Sequence, residues 1–313
     1  MKIVRIGDGS RELPSAEEIG AKAANLARMA ALGLAVPPAF VLPVRLCADV
    51  VAGKAEATRH LLGGLQEGIA FLEEATGRSF GDRRRPLLVS VRSGAARSMP
   101  GMLDTVLNVG CTLTAVRGLI RCSGRPRLAW DCRRRFLESY AETVVGLDPA
   151  PLSARLGELV AMEGVESSRQ LDSEALERLA ADECRMVEDY DDGWLEDASV
   201  QLERSARAVY RSWMSEKAQT YRRLEGLEHL EGTAVTVQAM VFGNSGPGSG
   251  AGVAFSRDPS TGARLAVIDV LFDAQGEDVV SGRRTPETED RLAGALPAVT
   301  GELHAVLERL EQE

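Results

Sequence analysis

The sequence has 313 residues, 44% of them hydrophobic, with 37 Lys and Arg set against 46 Asp and Glu for a formal charge of −9. That length and apolar content supply a core for one large domain or two medium ones. Acidic residues spread along the chain argue against a broad nucleic-acid surface, which needs a basic face, but leave room for a local basic pocket that takes ATP.

Cys47, Cys111, Cys122, Cys132 and Cys184 are odd in number and lack the spacing of a zinc site, so a reduced, cytoplasmic setting is expected. The start, Met1-Lys-Ile-Val-Arg-Ile-Gly-Asp-Gly9, has no apolar segment of signal-peptide length. No uninterrupted apolar run of about 18 residues occurs, so membrane spanning is not expected.

In chain order, Ser15-Ala-Glu-Glu18 has capping-box spacing, and Gly20 to Gly33 reads as a helix closed by Gly33. Lys22 then sits near a helix N-terminus, where it opposes the helix dipole unless an anion is bound there. It reads either as a solvated surface lysine or as an anion ligand. Val36-Pro-Pro-Ala-Phe-Val-Leu-Pro43 makes a stiff turn into a short strand. His60 lies in an amphipathic helical stretch without a partner at useful spacing and reads as structural.

Leu87 to Val91 is an apolar, β-branched run that reads as a buried strand, and it delivers Arg92 and Ser93 into a loop with Gly94, Pro100 and Gly101. A strand fixes where Arg92 emerges, and its guanidinium fork suits a phosphate. An arginine paired with a carboxylate under a surface loop is the other reading.

More than a hundred helical residues follow, around Leu113–Cys122, Arg127–Val145, Pro149–Met162, Asp172–Tyr190 and Val200–Leu224, with apolar positions three and four apart. Arg133-Arg134-Arg135 reads as a solvated helix face, from which one of the three could turn toward a cleft. Glu183 to Asp197 reads as an acidic, solvated loop and helix end.

From Gly232 the texture becomes strand-like. Thr233–Phe242 alternates, Gly243–Gly252 is a flexible glycine loop, and Val253–Ser256 resumes a strand. A glycine loop between strands is a candidate phosphate cover, or simply a mobile hairpin tip. Leu265–Phe272 is a further strand, and Ala274 to Pro286 is a loop carrying the neighbouring acids Glu277 and Asp278. Such a pair can hold ribose hydroxyls or Mg²⁺, or it can be a solvated turn.

Six segments together closely resemble the N-terminal nucleotide-binding domain of the pyruvate phosphate dikinase family. They are Gly20-Ala-Lys-Ala-Ala-Asn-Leu26, Val89-Ser-Val-Arg-Ser-Gly94, Ser98-Met-Pro-Gly-Met-Leu-Asp-Thr-Val-Leu-Asn108, Gln238-Ala-Met-Val-Phe-Gly-Asn244, Gly252–Gly262 and Ala274-Gln-Gly-Glu-Asp-Val-Val280. Their order agrees as well. The resemblance covers nearly the whole chain and is weakest from about Leu147 to Ser199. Phosphoenolpyruvate synthase is a more distant relative.

The resemblance implies an α/β (α+β) ATP-grasp fold with a helical insert, divided as 1–111, an insert at 112–199, a return at 200–242, and a C-terminal subdomain at 243–313. It implies transfer of a phosphoryl group from ATP to a histidine on a separate, swivelling phosphohistidine domain. By position, Lys22 and Arg92 match catalytic basic residues of the ATP site, and Arg135 matches a further one. Glu277 and its neighbour Asp278 match positions near the nucleotide. The loops Ser93–Thr105, with Gly94 and Gly101, and Gly243–Gly252, with Gly250, would close over the triphosphate.

Three departures stand beside these matches. Gly20-Ala-Lys-Ala replaces the family's double-glycine form, and no phosphohistidine motif surrounds His60, His229 or His304. The family's Asp-x-Glu strand, which supplies Mg²⁺ ligands, is expected beyond Glu313, so no metal ligand is assigned within this sequence. The expected function is therefore the ATP-binding part of a dikinase-like phosphotransferase. The alternatives are an inactive nucleotide- or partner-binding module truncated before the metal ligands, and a functionless remnant.

Overall fold

The computed structural model describes residues 2–190, 194–280 and 286–312, and the chain forms two compact units, Met1–Met240 and Val241–Glu313. The first opens with β1 (Val4–Ile6), the single-turn α1 (Ala16–Ile19), α2 (Ala21–Ala31) and β2 (Ala39–Leu42). Next come α3 (Cys47–Val51), α4 (Ala55–Thr76), β3 (Ser79–Phe80), β4 (Pro86–Leu87), β5 (Val89–Gly94) and β6 (Thr105–Val109). Helices α5 (Leu113–Ser123), α6 (Pro126–Tyr140), α7 (Ala150–Met162), α8 (Ser173–Glu188), α9 (Ala198–Ser212) and α10 (Glu216–Leu224) lead to β7 (Ala234–Ala239).

Short polar side chains set many of the helix starts, because each supplies an oxygen to an N–H that the helix leaves unmet. Ser15 accepts from Glu18 N, Thr112 from Ala115 N, Asp172 from Ala175 N and Ser215 from Ala218 N. Ser215 also explains why the helix expected over Val200–Leu224 is two helices: the chain turns at Trp213–Ser215 and is capped anew.

The five strands of the main sheet run in the order β1-β2-β7-β5-β6, each antiparallel to its neighbours. Side-chain alternation along a strand assigns the two faces. In β2, Ala39 and Val41 pack with Ile19, Ala23, Ala24 and Ala27 of α1 and α2. Phe40 points the other way, onto α4, where a Cβ on Gly68 would lie 2.4 Å from its ring. Buried on both sides, β2 is apolar throughout, unlike a strand with one wet face.

Beyond β6, α6 packs along the sheet edge, α8 packs on α6 and α7 on α8, around Leu159, Leu176, Leu179 and Trp130. The triple arginine here is not a solvated face. Arg133 is 1% exposed and reaches Cys111 O at 2.6 Å and Glu196 Oε1 at 2.6 Å. Arg134 bonds Glu138 at 2.8 Å and Asp131 at 3.3 Å, and Arg135 Nε bonds the other oxygen of Asp131 at 2.9 Å. These pairs sit three and four residues apart on one helix, the spacing that brings charges together. Burial opposes the ionised form of Asp131, but Arg135 and Arg134 beside it outweigh burial and hold its carboxyl down at about 2.

Glu183 on α8 is likewise buried rather than part of a solvated acidic stretch, and its Oε2 has no hydrogen-bond partner. Burial raises its carboxyl to about 8, with Arg134 opposing the shift and Glu138 and Asp131 adding to it. Residues 191–193 of that stretch lie outside the described residues.

The second unit has β8 (Gly250–Phe255), β9 (Val267–Phe272), α11 (Gly276–Val280), β10 (Glu287–Thr288), α12 (Glu289–Ala295) and α13 (Pro297–Gln312). Its three strands run β10-β9-β8, antiparallel, with Ile268, Val270, Leu292 and Leu307 in the core. Two boundaries differ from expectation. The strand after the glycine loop starts at Gly250, since its backbone already pairs with Phe272, and Glu277 and Asp278 lie on a short helix rather than in a loop. Residues 281–285 of that loop lie outside the described residues. Among the described residues no helix is long and apolar enough to cross a membrane.

Two stability measurements test this packing. Gly20 has φ +81, and a Cβ there would lie 2.2 Å from Gly94 O, whereas Gly33 at φ +75 faces open space. Urea unfolding is expected to show Gly20→Ala costing roughly 2–4 kcal/mol, from backbone strain plus collision, against about 1 kcal/mol for Gly33→Ala. Equal losses would mean the contact yields freely. For Glu183, a folded-state value of about 8 against an ordinary 4.5 means that the folded protein holds the proton more tightly than the unfolded chain. That stability is complete below about pH 4.5 and is lost as pH rises toward 8, by at most about 5 kcal/mol. Glu183→Gln is expected to flatten the decline between pH 5 and 8, and an unchanged slope would refute the assignment.

Candidate functional site

Lys22 and Arg92 project from elements that touch. Gly20 bends the chain between α1 and α2, and Ala21 N–H donates to Ala95 O at 2.9 Å. Ala24 N–H begins the helical ladder by donating to Gly20 O, so the amides of Lys22 and Ala23 lie outside it. Lys22 is exposed in that first turn.

Arg92 lies in β5, held by β7 on one side and β6 on the other, opposite Thr236 and Thr105. Residues directly opposite each other share a sheet face. Val41, Thr236, Arg92 and Thr105 therefore form one row, and Val41 packs against α2. Gly94 gives the same answer: its Cβ direction points at Ile19 O and Gly20 Cα, 3.5 and 3.7 Å away, and Arg92 is two residues earlier on that face. About 7 Å of strand separates Arg92 from the point where α2 begins. Arg92 thus lies on the sheet face that α2, the helix bearing Lys22, covers, close to the N-terminus of that helix.

β5 runs on through Arg92, Ser93 and Gly94 instead of ending at Val91, because all three pair with β7, and the loop that follows is fastened at both limbs. Ser93 and Gly94 are buried, and Gly94 N–H donates to Thr233 Oγ1 at 3.0 Å. At the other limb, Asp104 N–H donates to Ser212 Oγ at 3.4 Å and Lys217 Nζ donates to Asp104 Oδ1 at 2.9 Å, just before Thr105. Between them Gly101 is exposed, with φ +69 and open space at its Cβ position. Arg135 sits farther along the sheet, on α6 beside β6, engaged with Asp131.

The remaining candidates belong to the second unit. Gly243 and Gly250 approach each other so closely that a Cβ on Gly243 would lie 2.6 Å from Gly250 O and 2.2 Å from Ala274 O. Glycine is needed there for space. Ala274 N–H donates to Gly243 O at 3.0 Å and Gly246 N–H to Asp273 Oδ1 at 3.0 Å, which ties the loop to the end of β9. Directly after this point α11 carries Glu277, exposed, and Asp278, whose Oδ2 accepts from Gln275 N–H at 2.9 Å. The glycine loop and the acid pair are neighbours.

Sequence reasoning passed over Thr233, Asp104, Lys217 and Gln275. Thr233 and Gln275 lie inside stretches it had singled out, but their partners are far away in the chain. The Asp104–Lys217 pair spans 113 residues, and no local spacing reveals it. Among the described residues, no three Asp, Glu, His or Cys side chains converge as a metal site.

Comparison with known proteins supplies the lineage. Residues 57–292 match the family described as pyruvate phosphate dikinase, AMP/ATP-binding domain. The chain is 42% identical over 294 residues to pyruvate, phosphate dikinase 1, chloroplastic, of Arabidopsis thaliana, covering 91% of this chain and 30% of that protein. The Rhizobium meliloti pyruvate, phosphate dikinase is 42% identical over 281 residues, covering 90% and 31%. The Clostridium symbiosum enzyme is 39% identical over 281 residues, covering 89% and 32%. This chain thus spans about a third of the length of these curated relatives. With a match of that extent across both compact units, the chain belongs to the pyruvate phosphate dikinase AMP/ATP-binding domain family.

Proposed function

We propose that this chain is the ATP-binding part of a dikinase-like phosphotransferase that passes a phosphoryl group from ATP to a histidine on a separate domain or protein. The observation that supports this reading is that Arg92 lies on the sheet face against which α2, the helix bearing Lys22, packs. A triphosphate set there meets two cations and the outward amides of a helix N-terminus. Phosphoryl transfer needs little else from the protein than positioning and charge neutralisation.

In this reading the fold is an ATP-grasp, with the subdivision expected at 111, 199 and 242. Ser93–Thr105 is the phosphate-covering loop of the first unit and Gly243–Gly252 that of the second, each serving to exclude water. Arg135 serves as a further basic contact. Glu277 contacts the nucleotide, with its neighbour Asp278, whose Oδ2 accepts from the Gln275 amide, as a second contact. Mg²⁺ accompanies ATP and supplies charge neutralisation at the phosphate oxygens. A reducing, cytoplasmic setting suits the five free cysteines.

The test uses Mg²⁺, ATP labelled at the β- or γ-phosphate, and the phosphohistidine domain of a full-length relative. Label should reach that histidine, and Lys22→Ala or Arg92→Ala should lower the rate by about 10²–10³-fold, or about 2.7–4 kcal/mol, the loss for one preorganised charge stabiliser. Unfolding midpoints should stay near the wild-type value. Binding of ATP without labelling would favour the inactive module instead. Early melting of Arg92→Ala with unchanged ATP affinity would make Arg92 a structural ion-pair residue.

A further inference from the structure

Resting on the nucleotide-binding reading above, we propose that Gln275 is a positioning residue: it sets the spacing between the glycine loop Gly243–Ser249 and the acid-bearing α11, so that both address one nucleotide. Gln275 stands at the junction of these two elements and is bonded to each. On the loop side, Gly243 N–H donates to its Oε1 at 3.4 Å, and its Nε2 donates to Asn244 Oδ1 at 2.9 Å. On the helix side, its backbone N–H donates to Asp278 Oδ2 at 2.9 Å, and Asp278 N–H donates to its carbonyl at 2.9 Å.

A primary amide is suited to this place because it presents an acceptor and a donor at once. Its orientation follows from the partner: the Gly243 N–H can only donate, so the oxygen must face it. Both amides are buried, Gln275 at 7% and Asn244 at 5% exposure, so water cannot readily replace a lost bond. The neighbouring tethers fix other points of the same loop. Asp273 N–H donates to Ser249 O at 2.8 Å, and Ser249 Oγ donates to the Gly243 and Gly246 carbonyls at 2.9 and 2.8 Å. Those bonds shape the loop, while Gln275 connects its first two residues to the helix that carries Glu277.

The test is made on the 313-residue chain with Gln275→Met, which keeps length and loses both bonds, and with Asn244→Leu, which removes the acceptor from the loop side. Asn244→Asp keeps an acceptor for Gln275 Nε2 and is read against Asn244→Leu. Two quantities are read: amide exchange of Gly243–Ser249, and affinity for ATP with Mg²⁺ by calorimetry. Gln275→Met and Asn244→Leu should speed loop exchange about tenfold and weaken ATP binding roughly five- to tenfold, with amides of β5 unchanged. Asn244→Asp should leave loop exchange slower than Asn244→Leu does, because the acceptor for Gln275 Nε2 is kept. Should Gln275→Met fail to fold, the two Asn244 variants carry the same comparison. Unaltered loop exchange, or a loosened loop with wild-type ATP affinity, overturns the inference alone. A wild-type chain that binds no ATP overturns it together with the function on which it rests.

Discussion

The first unit is organised by a backbone contact that leaves no room for a side chain. Gly20 and Gly94 press together so closely that a methyl group on Gly20 would overlap the Gly94 carbonyl, and the Ala21 amide bonds the next carbonyl along. Through this contact the start of α2 is fixed against the end of β5. The backbones that carry Lys22 and Arg92 are thereby fixed against each other. The side chains need not be rigid when the elements bearing them are.

The second unit achieves closeness by similar means. Gly243 is packed between two carbonyls, and the glycine loop is bonded to the residues that lead into α11. In both units a glycine-bearing turn is fastened to the next functional element by hydrogen bonds from the main chain. What looks like flexibility in the sequence, a run of small residues, is in the fold a means of bringing backbones together. Gly101 and Gly248 differ: open space surrounds the place of a Cβ at each.

Local rules carried much of the fold. Ser15 as a cap, Gly33 at a helix end, the alternation of β7 and the apolar run of β5 were legible because each depends on near neighbours in the chain. Arg133-Arg134-Arg135 was misread for the opposite reason. A charge run looks solvated until its partners are counted, and here Asp131 and Glu138 stood at helical spacing while Glu196 came from afar. Glu183 stands on the apolar stripe of α8 with Leu176, Leu179, Ala180 and Val187, a spacing that points to burial, but the acidic run around it in sequence drew the opposite reading. In the candidate site, Lys22 was legible as a cation in the first turn of a helix and Arg92 as a cation following an apolar strand run, although β5 in fact continues past it to Gly94. That Arg92 faces the side of the sheet covered by α2 was not legible, because it depends on strand register across β2, β7 and β5.

That register has a consequence for how the sheet assembles. Val91 lies in the row of Val237 and Phe40, against α4, while Arg92 lies in the row facing α2. Sliding β5 by a single residue would drive a guanidinium into the aromatic layer and turn a valine outward. A buried, unpaired cation is among the costliest errors a sheet can make. The residue that reads as a ligand for phosphate therefore also acts as a proofreader of strand alignment, rejecting mispaired sheets during folding before any nucleotide arrives.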